Sequence, residues 1–236
     1  MPSIDISEER GVRYLHFGSP WVQGAMRIAR PWTLELEYTR ELMLPLLLRD
    51  DDWPASVLQV GLGAASITRF IYRHRPGAFI TVVEIAPEVV AAARQYFKLP
   101  EDPERIRIVT ADAHEHVMTA RQKFDLIVVD GFDDKGRAGM LDSVPFYANC
   151  RARLTSTGMM SVNLLTRTRS AAASVRRLRE AFDERVQQLP PSEAGNVVVL
   201  AGSGLPLDEP AAELRARAKR LKAQTGLDLS PTLARL

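Results

Sequence analysis

Between Val57 and Leu165 the chain alternates short, continuous apolar runs with longer amphipathic ones. The runs "VLQVG", "FITVVE", "RIRIVT", "DLIVVD" and "MMSVNLL" read as strands buried on both faces. The segments between them carry apolar residues at helical spacing: Ile67, Phe70 and Ile71 in the first, Val89, Val90, Ala93 and Phe97 in the second. A short helix is expected after Asp112 and another near 145–154. Continuous apolar strands separated by helices predict a parallel sheet covered on both faces. Beyond a helix over 171–182, "RVQQL" and "NVVVLA" are separated only by "PPSEAG", too short for a parallel crossover, so that pair is expected to be antiparallel. The pattern as a whole predicts an α/β, doubly wound, mostly parallel sheet of seven strands.

The flanks read differently. "RYLHFGSPWVQGAMRI" holds two β-prone runs, Arg13 to Phe17 and Trp21 to Ile28, around the turn-forming Gly18-Ser19-Pro20, which predicts a small N-terminal β-hairpin. A helix is expected from Leu36 to Leu48, with Pro45 interrupting its stripe and "RDDDWP" ending it. At the other end, "EPAAELRARAKRLKAQTG" places Leu214, Ala218 and Leu221 on one helical stripe. This divides the chain into a small β region with a linking helix (1–50), a nucleotide-binding domain (51–204) and a C-terminal helix and tail (205–236).

Composition narrows the function. A length of 236 residues with 46% hydrophobic content suffices for a full core, and a net charge of +2 supplies no global field for nucleic acid or an anionic membrane. The densest basic run, Arg215 to Lys222, lies on the C-terminal helix and reads as its solvated face. Cys150 is the only cysteine, so no internal disulfide framework exists and a reducing compartment is expected. No apolar run approaches the about 18 residues of a membrane span, and "MPSIDISEER" is acidic, so the expectation is a cytoplasmic protein. His114 and His116 fall on diverging helical faces and do not suggest a metal pair; His16 and His74 are isolated.

The first strand runs into "GLGAAS". Gly61 and Gly63 lack the Cβ that would keep a nucleotide away from the backbone, and the following helix presents its N-terminus. The full dinucleotide fingerprint needs a third glycine where this chain has Ser66. Three carboxylates support the nucleotide reading. Glu84 closes the second strand, 21 residues after Gly63, where an acid can accept from both ribose hydroxyls. Asp112 follows the third strand, within reach of an adenine amino group, and Asp130 closes the fourth. Ligands of open α/β sheets bind at this edge. A parallel sheet closed by an antiparallel pair is the pattern of S-adenosylmethionine-dependent methyltransferases.

"VLQVGLGAAS", "TVVEIAPEVVAAARQYF", "VTADAHEHV" and "FDLIVVDGFDD…PFYANCRARLTSTGMM" together resemble the spermidine synthase family of polyamine aminopropyltransferases, over roughly residues 12–165. The resemblance implies a small N-terminal β-domain, a homodimer, a polyamine substrate, decarboxylated S-adenosylmethionine as co-substrate and no metal. It implies that Gly61, Gly63, Glu84, Ile85, Asp112 and Ala113 hold the nucleoside, that Asp130 is the catalytic group, and that Asp133, Asp134, Gln23, Tyr38 and Tyr147 meet the amine. The chain departs from the family pattern at three positions: Ala64 replaces a loop aspartate that holds the aminopropyl ammonium, Asp134 a proline, and Thr39 a histidine.

Aminopropyl transfer needs a neutral amine to attack a carbon beside a sulfonium, so a carboxylate that accepts the amine proton and holds the reactants in line is the expected device. Ala64 leaves two alternatives open. One is a methyltransferase using intact S-adenosylmethionine, and the other is a nucleoside-binding homologue without activity.

Overall fold

The computed structural model describes residues 3–133, 135–166 and 171–236. At the N-terminus, β1 (Ile4–Glu9), β2 (Val12–Phe17) and β3 (Val22–Arg27) form an antiparallel sheet in the order β1-β2-β3. The expected hairpin is therefore one strand short. β1 joins β2 through Arg10 and Gly11, both at positive φ (49° and 75°), the backbone of a two-residue hairpin turn. Its outward residues are acidic, which hid it among loop-like sequence.

The expected helix over 36–48 is broken. α1 covers only Glu37–Glu41, and Leu44–Leu47 forms a 3-10 turn containing Pro45. Proline has no N–H to continue the α-helical ladder and disfavours helical geometry at the residue before it.

The main sheet follows: β4 (Ser56–Val60), α2 (Ser66–His74), β5 (Phe79–Glu84), α3 (Pro87–Tyr96), β6 (Ile106–Thr110), α4 (Ala113–Thr119), β7 (Phe124–Val129), α5 (Val144–Ala152), β8 (Leu154–Leu165), α6 (Ala171–Ala181), β9 (Val186–Gln188) and β10 (Asn196–Gly202). Strand order is β6-β5-β4-β7-β8-β10-β9, with β10 antiparallel to both neighbours and the other pairs parallel. The fold class matches the sequence pattern, including the antiparallel close. The chain winds outward from β4 in one direction through β5 and β6, then returns to β7 and winds the other way, so the crevice opens at the carboxyl ends of β4 and β7.

Successive strand residues point to opposite faces. Val57 therefore joins a core with Phe70, Val89 and Leu47, while Leu58 joins another with Phe146, Leu178 and Phe182. α7 (Ala211–Thr225) seats Ala218 and Leu221 in the first of these cores, and α8 (Ser230–Leu233) ends the chain. The N-terminal sheet is not a free appendage: Leu15 and Met26 pack with Ala64 and Phe97 in a third cluster. Among the described residues, no helix is long and apolar enough to cross a membrane.

Candidate active site

A cavity of about 840 Å³ occupies the crevice. Its floor is the ends of β4, β5 and β7; β3 and α1 form one wall, and the loop after β7 forms the other.

The glycine turn makes the floor passable. Gly61 takes φ +83° and donates its N–H to Val83 O at 2.9 Å, and Gly63 takes φ +50°. Ala65, also left-handed at φ 55°, opens α2 without a side-chain cap. Glu84 is buried, and its carboxylate is held by the backbone: Oε2 accepts from Leu62 N–H at 2.8 Å and Oε1 from Ala86 N–H at 2.9 Å. Asp112 caps α4, accepting from His114 N–H at 2.7 Å. Ala113 and the exposed Ile85 complete this half of the lining.

Asp130 follows β7 at the centre of the floor. Its Oδ1 accepts from Asn163 Nδ2 at 2.8 Å, and the Tyr38 hydroxyl lies near the same carboxylate. Burial pushes the Asp130 carboxyl up to about 6, against the opposing pull of those two groups. Burial, together with the neighbouring carboxylate, keeps the Tyr38 phenol protonated far above its usual range. Gln23, on β3, lines the same side of the cavity.

Asp133 also lines the cavity, but it is engaged. It accepts from Lys135 N–H (2.9 Å), Arg137 N–H (2.8 Å) and the Arg137 guanidinium (2.8 Å). Burial opposes its ionisation, yet these bonds hold its carboxyl below the usual range. Asp134 lies outside the described residues.

One expected residue lies elsewhere. Tyr147 does not reach the cavity: it is fully buried in α5, and its hydroxyl donates to Asp142 at 2.9 Å. Asp142 also accepts from Ser174 (2.8 Å) and Arg177 (2.9 Å), so this cluster ties the far end of the loop after β7 to α6. The apolar surroundings of an inward-facing α5 position draw the ring away from the crevice.

Ala64 is not among the residues lining the main cavity; it borders a small adjoining pocket that shares Gln23, Tyr38, Gly63 and Asp130 with it. It packs under β3, where a Cβ on Gly24 would stand 2.6 Å from its own Cβ. The motif reading had missed Asn163, Asn196, Glu37, Trp21 and Arg137, which all line the cavity. For the two asparagines the available signal was an amide interrupting or opening an otherwise apolar strand.

The likeness to known proteins falls on the same elements. Residues 36–186 match the spermine/spermidine synthase domain. A polyamine aminopropyltransferase of Neisseria meningitidis is 37% identical over 235 residues, covering 100% of this chain and 89% of the relative. In three dimensions, a probable spermidine synthase from Corynebacterium glutamicum aligns with a TM-score of 0.77 at 20% identity, over 93% of this chain and 83% of that one. Human methyltransferase-like protein 13, solved with SAH, aligns at 0.71 and 21% identity, over 81% and 93%. Those two solved structures show the fold, and the domain match together with the nearly full-length identity shows the family: the chain belongs to the spermine/spermidine synthase family.

Proposed function

We propose that this protein transfers the aminopropyl group of decarboxylated S-adenosylmethionine to a diamine such as putrescine, releasing methylthioadenosine. The observation that carries this reading is Asp130, a carboxyl pushed up to about 6 at the floor of an acidic cavity. Among the described lining residues five carboxylates (Glu37, Glu84, Asp112, Asp130 and Asp133) face one guanidinium, Arg137. Both reactants are cations, so this lining attracts and orients them.

In the reaction, the amine lone pair forms a C–N bond to the carbon beside the sulfonium, the C–S bond breaks, and its electron pair neutralises sulfur. The departing thioether is uncharged and needs no protonation. Asp130 accepts the proton that the substrate ammonium must lose before its lone pair can attack, and passes it to solvent. Asn163 fixes the carboxylate with Tyr38 beside it, and Gln23, Asp133 and Asp134 are read as the amine's further partners. Glu84 is read as the acceptor for the ribose hydroxyls, with its orientation set by Leu62 and Ala86. Asp112, Ala113 and Ile85 are read as the adenine side, and Gly61 and Gly63 as the close backbone approach to the nucleoside.

Methyl transfer from intact S-adenosylmethionine fits less well, because its carboxylate would enter a lining dominated by like charge. The same reading includes a homodimer, which sedimentation would register as twice the chain mass. The deciding experiment incubates the protein with putrescine and either form of the sulfonium, and identifies the product. Methylthioadenosine with the decarboxylated form supports aminopropyl transfer. S-adenosylhomocysteine from the intact form overturns it in favour of methyl transfer, and neither product leaves only nucleoside binding.

A further inference from the structure

Two buried asparagines stand in line behind Asp130. Asn163 is near the end of β8, and Asn196 opens β10; in the antiparallel register Asn163 faces Val198 and Asn196 faces Leu165, so the two amides are diagonal neighbours on one face. An ionised carboxylate only accepts, so the 2.8 Å contact requires the Asn163 Nδ2 to point at Asp130. Its Oδ1 then points away and accepts from Asn196 Nδ2 at 2.9 Å. Asn196 is itself pinned by Ser192: its N–H donates to Ser192 Oγ at 3.1 Å, and its carbonyl accepts from Ser192 N–H at 2.8 Å.

An amide beside a carboxylate has two orientations related by a half-turn. In the wrong one, the Asn163 carbonyl meets the Asp130 carboxylate and its N–H2 meets that of Asn196. Each contact sets like against like in a buried place, which costs more than a missing bond at the surface.

We propose that Asn196 is a positioning residue acting on Asp130 through Asn163: by donating to the Asn163 oxygen it keeps the Asn163 N–H2 on Asp130, holding the proton acceptor ionised and fixed in orientation. The proposal rests on reading Asp130 as that acceptor. The titratable and charged groups sharing its cavity are Tyr38 and Glu37 on α1, Glu84 ending β5, Asp112 capping α4, and the Asp133–Arg137 pair on the loop after β7. Of the side chains around it in the described structure, Asn163 closes a hydrogen bond on Asp130, and the Tyr38 hydroxyl lies near it.

The test reads Asp130 directly and needs no turnover. Protein labelled with carboxyl-13C aspartate is titrated by NMR, and the Asp130 signal is assigned by its loss in Asp130→Asn. Asn163→Leu removes the donor and should move the Asp130 titration up by about one pH unit; Asn163→Ala substitutes where leucine strains the strand. Asn196→Leu should move it up by about half as much, and Asn163→Leu/Asn196→Leu should match Asn163→Leu alone, because Asn196 then has nothing to act through. Calorimetric binding of methylthioadenosine establishes that each variant is folded. An Asn196→Leu titration superposable on the parent, or a double variant showing the sum of the single shifts, overturns the proposal. Absence of aminopropyl transfer by the parent instead overturns the functional reading and leaves the titration as a separate result.

Discussion

The Cα of Gly61 lies so close to the backbone of Asp130 that a Cβ built on it would stand 2.3 Å from the Asp130 carbonyl oxygen. The glycine turn and the proposed catalytic strand end are thus one contact, with β4 and β7 adjacent and parallel beneath it. Gly61→Ala combines this collision with an alanine at φ +83°, and neither side of the contact is a flexible side-chain end. We expect a loss of at least about 2 kcal/mol in unfolding free energy, with nucleoside binding and turnover lost together. Urea unfolding and methylthioadenosine calorimetry check this, and a variant with parental stability would mean the two loops part without cost.

Asp130→Asn keeps an oxygen for the Asn163 donor while removing the proton acceptor. Turnover should fall by about 10²–10⁴-fold, with methylthioadenosine affinity within a few-fold of the parent. Stability should move the other way. A carboxyl whose folded value is raised contributes stability below its unfolded value, and that contribution disappears as pH climbs through about 6. At pH 7–8 the parent therefore carries the cost of a desolvated carboxylate, and Asp130→Asn should melt at a higher temperature there, by up to about 2 kcal/mol once partial solvation is allowed for. The advantage should vanish near pH 4. A variant less stable than the parent at pH 8 would mean that Asp130 is better solvated or more tightly bonded than its surroundings indicate.

The same value sets the acidic limb of the rate profile. Only the carboxylate accepts a proton, so kcat/KM should fall about tenfold per unit below pH 6. The Tyr38 hydroxyl lowers the Asp130 value, so Tyr38→Phe should raise it and shift the limb toward higher pH. An unmoved limb in Tyr38→Phe would assign it to another group.

Much of this arrangement was legible because the strands of the main sheet are buried on both faces, so "DLIVVD" and "FITVVE" end where a carboxylate leaves the core. Loop length alone identified the antiparallel β9–β10 pair. β1 was not legible, because Asp5, Ser7, Glu8 and Glu9 dilute its two isoleucines; the Arg10-Gly11 turn was its signal. Asn163 and Asn196 were hidden for a different reason. Neutral amides carry no charge signature, and their meeting depends on a strand register that no short motif encodes. Tyr147 was misplaced because neighbouring a motif does not decide which side of a helix faces the crevice.

Glu84→Gln tests the nucleoside half. Each Glu84 oxygen accepts from a different backbone N–H, Leu62 on the glycine turn and Ala86 at the start of α3. Glutamine supplies one acceptor oxygen, so its N–H2 must face one of those donors and leave it unpaired, at about 1–3 kcal/mol. The turn that carries Gly63 should loosen, and methylthioadenosine should bind at least about tenfold more weakly. Unchanged affinity by calorimetry would mean the carboxylate is structural and the ribose is held elsewhere.

Arg69 provides the last prediction. It is fully buried in α2, and its guanidinium is held by backbone carbonyls rather than by an acid: it donates to Pro31 O at 2.7 Å, Phe97 O at 2.6 Å and Ala64 O. These carbonyls belong to the segment after β3, the end of α3 and the glycine turn. A planar fork with five donors can serve three carbonyls at once, whereas a lysine ammonium on its flexible stem cannot match that geometry. Arg69→Lys should therefore fail to rescue Arg69→Met, and both should lose about 2–4 kcal/mol by urea unfolding as buried carbonyls go unpaired. Because Ala64 adjoins Gly63, methylthioadenosine binding should weaken even where the variant remains folded. Full rescue by lysine would show that charge, rather than the three-way fork, joins the N-terminal sheet to the turn.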